Sequence, residues 1–163
     1  MDLQPLPAAE LLQLAGDPQS RTRYSPFSGQ TCLLVDAAPH ALSEDEQIRL
    51  HAWLRELPCP SIAIAAQQSA LAAACDTAVE SAAEAQALSG NIGAAPLAAC
   101  VLVQLLRMIE RLPAAEALTA ESLAYSTLQA GPEFRRWLEA NRAAAPAQHG
   151  DEGPAVLVER EDD

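Results

Sequence analysis

The chain holds 163 residues, half of them hydrophobic and a fifth charged, which suits one packed domain, or one domain with an appendage, and argues against disorder of the whole. Its net charge of −12 sets 22 acidic residues against ten arginines and no lysine. That balance excludes the basic face that nucleic-acid backbones require and every mechanism that depends on lysine, P-loop and Schiff base included.

From the N-terminus, "MDLQPLPAAELLQLAGD" has neither a basic leader nor a long apolar segment, so no secretory signal is read there. Within it "PAAELLQLAG" is a short helix closed by Gly16. "DPQSRTRYSPFSGQ" is a loop dense in turn formers, and "TCLLVDA" is a short apolar strand of the kind buried on both faces of a parallel sheet. "SEDEQIRLHAWLREL" carries its own start signal, because Ser43 and Glu46 have capping-box spacing. Ile48, Leu50, Trp53, Leu54 and Leu57 supply its apolar stripe, and Pro58 stops it.

"PSIAIAA" and "CDTAVES" are the next strands, joined by the small-residue turn or helix "QQSALAAA". Strand, helix, strand, short helix, strand predicts a parallel α/β unit. After it "AAEAQALSG" reads as a helix and "NIG" as a break. Pro96 opens a helix through "LAACVLVQLLRMIERL", apolar almost all round and therefore expected to be buried. Pro113 opens another helix running to Gly131, and Pro132 a last one, "PEFRRWLEANR". There Arg135 and Arg136 should face solvent while Phe134, Trp137 and Leu138 pack down. The fold class is thus α/β: a small parallel sheet of about three strands followed by a helical C-terminal part. "AAPAQHGDEGP" has linker composition, and "PAVLVEREDD" then begins the alternation of a new strand.

Candidate chemistry is sparse. Cys32, Cys59, Cys75 and Cys100 lie in or beside apolar runs. With no CxxC pair, and with His40, His51 and His149 far apart, no metal site is expected, and buried reduced thiols are. Cys75–Asp76 with His51 could suggest a thiol nucleophile, but a base in reach and a lowered thiol pKa are both needed. Asp76, Glu80 and Glu84 could act as acid and base, and a solvated helix N-terminus explains them more simply. "SGNIGAAP" could hold an anion at a helix start, yet it lacks either phosphate-binding spacing and reads as a connector. The longest apolar run, "AAPLAACVLVQLL", is too short to span a bilayer. No membrane partner is expected, and a reducing cytoplasm is the expected compartment.

Two stretches carry a family likeness. "LPCPSIAIAAQQSALAAACDTAVES" and "PLAACVLVQLLRMIERLPAAEALTAESLAYSTLQAGPEFRRWL" resemble the crotonase (enoyl-CoA hydratase/isomerase) superfamily, over roughly half of the chain. The second is similar to its C-terminal helices through Pro96-Leu97-Ala98, Glu116-Ala117-Leu118 with Glu121, and Glu133-Phe134. The resemblance implies a reduced crotonase-like section at residues 1–142, a linker at 143–154, and the start of a second, truncated crotonase-like domain at 155–163. It implies hydration or isomerisation of an enoyl-CoA thioester as the parent activity, with acyl-CoA as substrate and no separate cofactor.

The departures from the family shape the functional expectation. The glycine-rich turn that presents an oxyanion N–H is replaced by "AAQQSALAAA", and the region after "ACD" that carries catalytic glutamates is nearly absent. No catalytic residue is carried over, and no cofactor-binding residue is assigned. The expectation is a non-catalytic section whose helices at 96–142 pack against a full crotonase domain or a homo-oligomer. A stand-alone interaction module without CoA binding is the alternative. An enzyme with a relocated oxyanion hole around residues 67–74 is a third reading.

Overall fold

The computed structural model describes residues 4–38, 42–67 and 69–142. The linker and the strand expected at 143–163, together with His40 and His149, lie outside the described residues. Three short strands, β1 (Leu33–Asp36), β2 (Ser61–Ile64) and β3 (Thr77–Val79), form a parallel sheet in the order β1-β2-β3. Among the described residues seven α-helices accompany it: α1 (Ala8–Gly16), α2 (Glu44–Arg55), α3 (Ala70–Ala74), α4 (Ala82–Ala94), α5 (Pro96–Ile109), α6 (Ala114–Ala130) and α7 (Pro132–Ala140). The fold is α/β, as expected from the alternation of strand and helix.

Strand alternation explains why helices cover both faces of the sheet. Successive side chains of a strand point to opposite sides, so Leu33, Val35 and Ala63 join Leu11, Leu50, Trp53, Leu54 and Leu71 on the side of α1, α2 and α3. Cys32, Leu34 and Ile62 join Ala85 and Ile92 of α4 on the other. The register, Leu34 beside Ile62 and Val35 beside Ala63, keeps the two sets apart. Along the outer edge of β1, Leu6 donates to Leu34 and accepts from Asp36, each at 2.9 Å, covering an edge that would otherwise expose backbone groups.

The capping box of α2 forms as its spacing predicts, with Ser43 accepting from the Glu46 amide and Glu46 accepting from the Ser43 amide. Its stripe is narrower than expected: Leu50, Trp53, Leu54 and Leu57 are buried, while Ile48 is 60% exposed. Ile48 projects to the flank of the helix, away from the row that meets the sheet. The expected loop at 17–30 contains a 3-10 turn, Ser20–Arg23. It is held because the buried Ser20 hydroxyl donates to Leu14 O at 2.7 Å and accepts from the Trp53 indole at 3.0 Å.

Three expectations about the later helices are corrected. "NIG" is no break: α4 continues through Asn91-Ile92-Gly93 to Ala94, because Ile92 is buried against the sheet and that packing outweighs the roughly 1 kcal/mol cost of a helical glycine. The turn falls instead at Ala95, where α4 and α5 meet at 106°. Helix α5 is not buried all round. Val103 is its one buried residue, and Leu102, Leu106 and Met108 are 53%, 49% and 47% exposed. Helix α7 packs down only in part: Phe134 is half-buried, whereas Trp137 is 57% exposed, Leu138 is 47% exposed, and Trp137 stacks on Phe134 of its own helix. Both differences have one cause. Helix α6 lies over α5 on one side only and has no buried residue itself, so no further layer covers the outer faces. No single described helix is long and apolar enough to cross a membrane.

Candidate functional site

The carboxyl ends of β2 and β3 open onto a cavity of about 270 Å³. In parallel α/β sheets this end is where ligands bind. Its wall is mostly alanine, with Ala65, Ala72, Ala73 and Ala78 beside Val79, and its polar side chains are those of Gln67 and Glu80. No cation lines it. The amides that could polarise a carbonyl are partly engaged: Ala65 donates to Val79 O at 2.9 Å, Ala72 to the Ser69 hydroxyl at 3.1 Å, and Ala73 to Ser69 O at 3.0 Å. This geometry accommodates a small apolar group beside one carboxylate.

The cysteines are set up for inertness. Burial, and then the neighbouring Asp76 carboxylate, push the Cys75 thiol from 9.0 to about 12. That is the opposite of the lowered pKa a nucleophile needs. Its Sγ–H donates to Leu71 O at 3.5 Å, and no hydrogen bond joins it to His51 among the described residues. His51 lines a separate surface groove between α2 and α5 with Ile48, Met108 and Arg111. Cys59 is likewise raised to about 12, chiefly by burial. Burial also raises Cys32 and Cys100. No cluster of three metal-ligating side chains occurs among the described residues.

The three acids near β3 do separate jobs. Glu84 sits in the first turn of α4, donating its amide to the Ser81 hydroxyl and accepting from the Glu80 amide, the helix-start role expected of it. Glu80 lines the cavity. Asp76 departs from the expected solvated role. It accepts from both the amide and the hydroxyl of Ser61 at 2.7 and 2.8 Å, and it forms an ion pair with Arg107.

The segment "SGNIGAAP" is mostly helix rather than an open turn, and the N-terminus of α5 that follows it already has its anion. The Glu133 carboxylate of α7 accepts from the amides of Leu97 and Ala98 at 2.9 and 2.8 Å. A carboxylate is favoured there because the first amides of a helix have no partner within it and carry the positive end of the dipole. Two of the sequence segments singled out above, Pro96-Leu97-Ala98 and Glu133-Phe134, thus meet in space.

A second polar element escaped sequence reading. Cys100, Gln104 and Arg107, at helical spacing on α5, all donate to the carbonyls that follow α2. Gln104 reaches Leu57 O at 2.8 Å, Cys100 reaches Pro58 O at 2.8 Å, and Arg107 reaches the carbonyls of Leu57 and Cys59 at 2.6 and 3.3 Å. The available signal was the i, i+4, i+7 recurrence of donors within an apolar helix. Because this row and Glu133 are spent holding α5 in place, the outward faces of α5, α6 and α7 are left without an assigned role. Leu102, Leu106, Leu118, Leu123, Tyr125 and Trp137 all lie about half or more exposed there. No protein-family model, curated protein or solved structure matches the chain.

Proposed function

We propose that this chain is a non-catalytic, enoyl-CoA hydratase/isomerase-like section whose helices at 96–142 dock onto a full crotonase domain acting on acyl-CoA thioesters. The observation that carries the docking role is the unburied apolar surface of α5, α6 and α7, from Leu102 and Leu106 through Leu118 and Tyr125 to Trp137. Large apolar side chains left bare on neighbouring helices are what interaction sites present. The crotonase partner is what the sequence resemblance implies.

The cavity at the sheet ends supports the non-catalytic part of the reading. Among the described residues its lining offers a carboxylate, Glu80, and no cation, where the phosphates of CoA would call for positive charge. The same observation favours the second reading, a stand-alone interaction module that binds no CoA.

Titration with crotonyl-CoA, monitored by calorimetry and by loss of the enoyl thioester absorbance, together with sedimentation against a purified enoyl-CoA hydratase, tests both. Association with the hydratase without turnover is the expected result. Turnover by the isolated chain would overthrow the reading, and failure to bind either hydratase or acyl-CoA would leave the stand-alone module.

A further inference from the structure

We infer that the outer face of α6 and α7 pairs with the same face of a second copy of this chain across a two-fold axis. The inference rests on the docking reading and names the occupant of one part of that surface. The exposed row of α5, Leu102 and Leu106, is left to a different partner.

The two helices carry complementary patches. On α6, Leu118, Glu121 and Tyr125 recur at helical spacing, so an acid stands between two apolar side chains that are 65% and 63% exposed. On α7, Arg135 stands three residues before Leu138, so here a base flanks an apolar side chain, with Trp137 beside it. Neither Glu121 nor Arg135 has an ionic partner among the described residues.

An isologous contact places each patch opposite the other twice. The acid of α6 then faces a base of the neighbouring α7, the same pair repeats on the other side of the axis, and the apolar side chains close the seam between them. A partner of one charge sign would match one helix and repel the other. Net charge points the same way. Residues 96–142 contain five arginines and five glutamates, so the whole excess of negative charge, −12, lies elsewhere in the chain. Two copies therefore approach with least repulsion through this face.

Sedimentation equilibrium of the full chain and of two single charge reversals, Glu121→Arg and Arg135→Glu, tests the pairing. The unmodified chain should dimerise. Each reversal alone should raise the dimer dissociation constant about tenfold, because it creates a like-charge contact twice. An equal mixture of the two variants should regain the unmodified affinity as a heterodimer, since both contacts again join opposite charges.

A monomeric unmodified chain, a dimer indifferent to both reversals, or a mixture no tighter than its components would each overturn the inference. Circular dichroism of the variants establishes that these exposed substitutions leave the fold intact. A monomer that still binds the hydratase would sink the pairing and spare the docking reading. A dimer that ignores the hydratase would do the reverse.

Discussion

Arg107 grips Asp76 at two points, Nε to Oδ1 at 2.7 Å and Nη2 to Oδ2 at 2.6 Å, with their side chains 9% and 15% exposed. The carboxylate also holds Ser61 at the start of β2, and the guanidinium also reaches the carbonyls of Arg55, Leu57 and Cys59. A single ion pair thereby ties α5 to β2, to the segment leading into β3 and to the end of α2. It is the principal polar fastening between the sheet and the later helices.

Arg107→Leu should therefore destabilise the chain by roughly 3 kcal/mol, because it strands a mostly buried carboxylate and several carbonyls. Arg107→Lys should recover only a minor part, since an ammonium cannot reproduce the planar fork. Urea denaturation reads both. Combining Arg107→Leu with Asp76→Asn should cost less than the two single losses added together, the mark of a direct contact.

Glu133→Ala removes the anion from the N-terminus of α5 and should lower stability by about 1 kcal/mol, with Glu133→Gln close behind because the amide loses the charge. The local effect should exceed the global one. Helix α7 carries Arg135 and Arg136, both exposed, and Glu133 joins its first turn to α5. Tryptic cleavage at those arginines should accelerate in the variant, measured by mass spectrometry under native conditions.

The sheet, its parallel sense and the capping box of α2 were legible because each rests on local signals: short apolar runs, helices between them, and Ser43 three residues before Glu46. The break placed at Asn91-Ile92-Gly93 failed because glycine and asparagine weaken a helix by amounts that the burial of Ile92 overrides. The burial of α5 and α7 was misread for a different reason. An apolar side chain states a preference for burial, not the presence of a covering layer, and nothing local to Leu106 or Trp137 tells whether that layer belongs to the same molecule. The polar row of Cys100, Gln104 and Arg107 was hidden by the same emphasis on apolar content. Its partners are backbone carbonyls some fifty residues away, which no side-chain pattern announces.

The thiols give a prediction at alkaline pH. Cys59 and Cys75 are each raised from 9.0 to about 12 in the folded chain, chiefly by burial. The folded state thus favours the neutral thiol. Its contribution is fully present below pH 9, where the unfolded thiols are also protonated, and is lost as the pH climbs from 9 towards 12. Urea midpoints should accordingly fall across that window, and the fall should be shallower in Cys59→Ala. At neutral pH both thiols should resist iodoacetamide in the native chain and react once urea has unfolded it.

The contrast between buried and exposed leucines tests the idea that the fold ends at α5 and a contact surface begins there. Leu54 is fully buried beneath α1 and the sheet, so Leu54→Ala should cost about 3 kcal/mol in urea denaturation. Leu118, 65% exposed, has no such packing to lose within one chain, and in the dilute monomer Leu118→Ala should stay within about 0.5 kcal/mol of the unmodified chain. Dye binding should reverse the ranking. The environment-sensitive fluorophore ANS should light up on the native chain diluted to the monomer, through the faces of α6 and α7, and Leu118→Ser with Trp137→Ser should reduce that signal without moving the monomer's denaturation midpoint. A large stability loss from Leu118→Ala would mean that α6 is packed within the chain after all, and the reading of these helices as a docking surface would lose its physical basis.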